Sequence, residues 1–146
     1  AMFGMMCIMA YWYKIGLLVL NDDQTKFLVC EKDEGDITTD YIMPGGQMDE
    51  ETLQENLEHQ IKEELDCAVD FDSLEYIGEY ADVASGMPDR EVVIDLYRGK
   101  LIGTPKPSTE IKRLHWIGKE DANNPRVSPI IRNKIIPSLV EKGILK

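Results

Sequence analysis

Residues 44–67 read PGGQMDEETLQENLEHQIKEELDC. A proline and two glycines lead into a stretch with the pattern of a helix from Glu51 to Leu65. Leu53, Leu57, Ile61 and Leu65 recur every four residues as one apolar stripe, and neither Gly nor Pro interrupts them. The same stretch carries Asp49, Glu50, Glu51, Glu55, Glu58, Glu63, Glu64 and Asp66 against the single lysine Lys62. Positions three and four apart share a helix face, so Gln60, Glu63 and Glu64 cluster at the border of the apolar stripe. Carboxylates crowded there resist ionising unless a cation sits among them. Hard oxygen donors of this kind select Mg²⁺, Mn²⁺ or Ca²⁺. A solvated acidic face is the plainer account of a Glu-Glu pair, because Glu is a strong helix former. The Pro-Gly-Gly turn tips the balance, since glycines let backbone N–H and C=O groups come close to a phosphate or a metal.

Outward from this stretch the pattern is mixed. Tyr11–Leu20 and Lys26–Glu31 are apolar runs on either side of the turn cluster NDDQT (21–25) and read as a β-hairpin. Residues 32–40 read as a loop, and Tyr41-Ile42-Met43 as a short strand running into the glycine turn. Leu74–Tyr80 and Glu91–Leu101 read as strands separated by a loop at 82–90. A second loop follows at 103–109, then a strand at Ile111–Ile117. Ser128–Lys142 has helical spacing and Gly143 as a stop, with Pro137 kinking or restarting the helix. Strands, helix, strands, helix imply an α/β domain with helices packed on the faces of a mixed sheet.

Composition narrows the function. The chain has 146 residues, which suits one core, and a net charge of −11, which argues against binding a nucleic-acid polymer through its phosphates. An anionic small molecule remains compatible where cations bridge the two. Cys7, Cys30 and Cys67 form no CxxC pair and no metal spacing, and read as reduced thiols in a cytoplasmic protein. The first 20 residues are apolar enough in length to span a bilayer, but Gly4, Gly16 and Lys14 interrupt them, so no membrane span is expected. Residues 1–10 read as a tail or an extra edge strand, suited to pairing with a second copy as a homodimer. Residues 11–146 read as the domain proper.

Pro44-Gly45-Gly46, Glu51, Ile61, Glu63 and Glu64 resemble the box of the Nudix hydrolase superfamily. That box runs Gly, five residues, Glu, seven residues, then Arg-Glu-hydrophobic-x-Glu-Glu-x-Gly-hydrophobic. Gly45 and Glu51 fit the first spacing, and His59 to Cys67 fill the rest. The late strand STEIKRLHWI also resembles MutT-like members, and the likeness spans roughly residues 11–143. It departs at four points: His59 stands for Arg, Asp66 for Gly and Gln60 for the first Glu, and the loop after the second glycine is one residue short.

The resemblance implies an α/β/α sandwich and Mg²⁺- or Mn²⁺-dependent cleavage of a nucleoside diphosphate linked to another group. It implies Glu63, Glu64 and the Gly45 carbonyl as metal ligands, and Gln60 as a weakened one, because an amide offers oxygen without charge. Glu110 matches the loop glutamate that reaches the metals, as ligand or general base. Lys32, Arg90 and Arg98 are candidate phosphate cations beside Gly46. Tyr41, Tyr80, Trp116, Asn124 and Ser128 lie where the base is recognised, although Ser128 also reads as a helix N-cap. His59 and His115 have no nucleophile partner. Residues 82–85, DVAS, lack the Pro or Tyr that marks ADP-ribose or dinucleoside polyphosphate enzymes, which favours a nucleoside triphosphate. The alternative is a Nudix-fold nucleotide-binding or regulatory module without turnover.

Overall fold

The computed structural model describes residues 11–36, 38–48 and 52–146. The readings made for residues 1–10, for Cys7 and for Glu51 lie outside the described residues. Strand β1 (Tyr11–Leu18) organises the rest, because its side chains alternate between two apolar layers. Ile15, Leu17 and Val19 pack with Leu57, Ile61 and Leu65 of helix α1 (Leu53–Leu65). Leu18 packs on the opposite face with Ile131, Ile135 and Leu139 near the C-terminus. Strand β2 (Phe27–Lys32) divides in the same way: Leu28 and Cys30 face α1, while Phe27 and Val29 face the C-terminal helix. Helix, sheet, helix is the α/β/α order expected. Each of these fully buried Leu, Ile or Phe side chains contributes about 1.5–3 kcal/mol of transfer free energy.

The sheet is mixed, in the order β3-β1-β5-β4, with a separate β2-β6 pair. Here β3 is Gly45–Gln47, β4 Ala68–Ala84, β5 Met87–Ile102 and β6 Ile111–Ile117. β1 runs parallel to β5 and antiparallel to β3.

Three readings need correction. β1 and β2 do not form a hairpin ladder. Asn21 caps the turn, its Oδ1 accepting from the Thr25 and Lys26 N–H groups, but the strands share only the Leu20–Phe27 bridge before parting. Strands apolar on both faces are buried on both, so their pattern does not name a partner. Second, the Pro-Gly-Gly stretch is not a turn. Gly45, Gly46 and Gln47 are themselves the edge strand, paired with Gly16, Ile15 and Lys14, while Tyr41 and Ile42 make only single bridges. Third, residues 82–90 are two strand ends joined by a two-residue turn, not a loop. β4 and β5 form one long hairpin turning at Ser85-Gly86, where Gly86 takes φ +77°.

The reading of Pro137 holds: the helix restarts there. A π-turn at Ile131–Ile135 precedes helix α2 (Ile136–Glu141), with the Ile136 N–H donating to the Ile131 carbonyl. Pro137 has no N–H for a carbonyl four residues back, and the widened turn accommodates it. A short 3₁₀ turn at Lys119–Asn123 had no sequence signal.

Asp66, at the glycine position of the resemblance, ends α1 in the left-handed region at φ 51°, ψ 42°. Its carboxylate accepts from Lys62 Nζ at 3.0 Å. The position therefore needs what glycine supplies without strain. Asp66→Gly is expected to raise the melting temperature by a few degrees, read by thermal denaturation beside Asp66→Ala, which should lower it.

Candidate active site

Thr52 starts α1 with a reciprocal capping box. Its hydroxyl accepts from the Glu55 N–H at 3.1 Å, and the Glu55 carboxylate accepts from the Thr52 N–H at 3.1 Å. Asn56 ties the first turn to β3, its Nδ2 donating to the Gln47 carbonyl at 2.9 Å. With the helix so fixed, Glu64 lies buried at 5% exposure, and its Oε1 accepts from the Gly45 N–H at 2.9 Å. Burial pushes the Glu64 carboxyl up to about 7, against the opposing pull of the Gly45 N–H, Lys32 and Lys14.

Both glycines are sterically required. Gly45 has φ +135°, and a Cβ there would sit 2.0 Å from the Ile15 carbonyl oxygen. A Cβ on Gly46 would fall 2.2 Å from Gln60 Cγ. Their purpose is to let α1 and β1 press onto one thin edge strand. The loop 103–110 closes the other side. The Lys106 N–H donates to the Leu65 carbonyl at 2.8 Å and the Ser108 N–H to the Glu64 carbonyl at 3.3 Å, satisfying carbonyls at the end of α1 and carrying Glu110 to the cleft.

The result is a cleft of about 160 Å³ whose lining includes Lys14, Lys32, Gly45, Gly46, Gln60, Glu64 and Glu110. Next to it lies a second cavity of about 190 Å³, lined among others by Trp12, Lys14, Lys32, Thr38, Gln47 and Ser128. The structure thus assembles Gly45, Gly46, Gln60, Glu64, Glu110 and Lys32 around one space. Glu63 is not in that lining. It lies half-exposed on α1, with His59 Nε2 at 3.1 Å from its Oε1.

Arg90 lines neither cavity, and its guanidinium sits 5.5 Å from the Trp12 ring centroid. Arg98 pairs across the hairpin with Glu75. Ser128 precedes the last helix without capping it through its side chain, since its buried Oγ has no hydrogen-bond partner. Tyr41 stacks on His115 at 4.1 Å, and Tyr80 bonds Ser138 at 2.7 Å. Asn124 is used in a local turn with Asp121, and Trp116 lies on β6 outside both cavities. The aromatic and the cation that sequence reasoning missed are Trp12 and Lys14. Their signal was present: a lysine inside an otherwise apolar strand.

Among the described residues, no three His, Cys, Asp or Glu side chains lie close enough to cage an ion by themselves. The donor set still fits a water-rich divalent ion. Glu64 and Glu110 bring two carboxylates, Gln60 an amide oxygen, and among the described residues Glu64 Oε2 has no hydrogen-bond donor. Mg²⁺ commonly keeps waters and substrate phosphates in such an incomplete shell.

The sequence model of the NUDIX domain matches residues 11–139, nearly the whole chain. The chain belongs to the Nudix family. This Nudix chain is similar in fold to MutT of Methanosarcina mazei Go1 (TM-score 0.72, 18% identity, covering 92% of this chain and 97% of that one). It is also similar to the E. coli ORF135 protein (0.68, 18%, 91% and 91%) and to a NUDIX hydrolase from Nitrosomonas europaea (0.64, 15%, 90% and 87%). No curated protein matches the sequence. Nudix hydrolases cleave nucleoside diphosphate derivatives, generally with divalent metals, and act on small nucleotide-type substrates. Among the described residues no helix is long and apolar enough to cross a membrane.

Proposed function

We propose that this Nudix chain hydrolyses a phosphoanhydride bond of a nucleoside triphosphate with Mg²⁺ or Mn²⁺. The observation that carries the reading is the buried Glu64, bonded to the Gly45 N–H in a cleft that also gathers Gln60, Glu110, Lys14 and Lys32. Glu64, Glu110, the Gln60 amide oxygen and the Gly45 carbonyl would hold the ion, with Glu63 at the rim once it leaves His59. A bound divalent ion supplies charge neutralisation and a lowered pKa for the attacking water.

The chain's own groups do the rest. Lys32 binds a phosphate oxygen, and Trp12 offers a ring face to the base in the neighbouring cavity. Glu110 takes the water proton on its carboxylate as the water oxygen attacks phosphorus, and the bridging P–O bond breaks toward the leaving phosphate.

Incubation with Mg²⁺ or Mn²⁺ and a nucleotide panel, following phosphate and pyrophosphate release, is expected to show turnover on triphosphates. Tight binding with no turnover on any member would instead favour the second reading, a nucleotide-binding module. That reading is motivated by Gln60 and by the absence of a three-acid cluster among the described residues. Gln60→Glu is expected to tighten Mn²⁺ about tenfold and to raise activity, because it restores a charged donor in the cleft. Unchanged Mn²⁺ affinity by titration calorimetry would remove Gln60 from the ligand set.

A further inference from the structure

Lys14 is the one side chain of β1 that lines both cavities and ends in a charge. It is partly buried, and desolvation holds its ammonium below the ordinary lysine range. Lys32 is engaged, its Nζ 3.7 Å from Asp36. Lys14 Nζ differs: among the described residues no carboxylate lies within 4.0 Å of it, and its specific contact is the Trp12 ring at 5.7 Å. Methionine or leucine would fill the same volume without desolvating a charge. A partly buried ammonium with no carboxylate in direct contact costs stability, and its position indicates what offsets that cost. It stands at the junction of the carboxylate cleft and the aromatic cavity, where a chain of phosphates joining a base to the metal end must pass.

Building on the nucleotide reading above, we propose that Lys14 is a phosphate-binding residue that grips the substrate's phosphate chain at the junction of the two cavities, independently of metal. In a cleft where Gln60 has removed one carboxylate, Lys14 supplies positive charge at a fixed place. Lysine binds phosphate as a compact point charge with three donors, so no bidentate geometry is needed. The ligand class is a nucleoside di- or triphosphate, and inorganic pyrophosphate shares the chemistry.

The test is binding in EDTA, where no hydrolysis intrudes, by calorimetry with a nucleoside triphosphate, pyrophosphate and the parent nucleoside. Wild-type protein is expected to bind the triphosphate and pyrophosphate. Lys14→Met should weaken both at least tenfold, leave nucleoside affinity unchanged, and melt at the same or a higher temperature than wild type. Lys14→Arg should stay within a few-fold of wild type and controls for folding. Equal triphosphate binding by Lys14→Met, or a fall of several degrees in its melting temperature, overturns the assignment and leaves the nucleotide reading standing. Wild-type protein that binds triphosphate only with Mg²⁺ overturns metal-independent binding alone. Wild-type protein that binds it under neither condition overturns both.

Discussion

Glu64→Gln is expected to lower metal-supported hydrolysis more than about a hundredfold, beyond the usual cost of removing an outer partner of a metal ligand. The same change is expected to stabilise the metal-free protein at alkaline pH. Burial raises the native Glu64 carboxyl from 4.5 to about 7. Between those values the native state holds a proton that the unfolded chain has released. Native stability from this group therefore falls as pH rises from about 4.5 to about 7, and stays lost above that. The loss is up to about 3 kcal/mol, from the size of the shift. In EDTA, the melting temperature of Glu64→Gln should match wild type near pH 5 and exceed it by several degrees near pH 8. A constant difference across that range would mean that Glu64 is not a buried, strained carboxylate. Saturating Mn²⁺ should close the gap at pH 8 by stabilising only the wild type.

Gly45→Ala is expected to have the largest effect on stability. The new Cβ would meet the Ile15 carbonyl oxygen at 2.0 Å, and the φ of +135° is one that an L side chain rarely takes. Neither neighbour can yield easily, because Ile15 is a buried residue of β1 and its pairing with β3 fixes the backbone. A loss of about 3 kcal/mol or more follows from combined strain and overpacking. For a chain of this length that lowers the melting temperature by roughly 10 °C. The Gly45 N–H bond to Glu64 would be displaced as well, so Mn²⁺ affinity should fall even below the melting transition. A melting temperature within 2 °C of wild type, on the order of the shift from 1 kcal/mol, would mean that the edge strand can move away from β1.

Some of this was open to sequence reading for direct physical reasons. The four-residue apolar stripe of α1 has one solution, a helix pressed on a sheet through Leu57, Ile61 and Leu65. The alternation of Ile111–Ile117 likewise matches β6. Local rules failed where the partner is distant. β1 and β2 are apolar on both faces, so nothing in their pattern forbids a hairpin with each other, and only the sheet assigns β3 and β5 to one and β6 to the other. The polar stretch 82–90 looks like a loop because it forms the tip of the hairpin, where Ala84 alone is buried and the other side chains stay partly or fully exposed.

The site divides along the same line. Spacing alone put Gln60, Glu63 and Glu64 on neighbouring positions of one helix, and motif matching pointed to Gly45 and Glu110. Which carboxylate turns inward was decided by packing: Glu64 lies under the Gly45 N–H and is buried, while Glu63, one residue away, is half-exposed beside His59. Trp12 and Lys14 are more than thirty residues from the acidic helix. Lys14 reaches the cleft, and Trp12 the neighbouring cavity, because β1 is the strand against which β3 pairs. The sequence by itself determined the helix, its charge and the glycines beside it, because those follow from periodicity and from backbone space within a few residues. The tertiary structure decided which charges face inward and which cations meet them, because that depends on strand pairing between segments far apart in the chain.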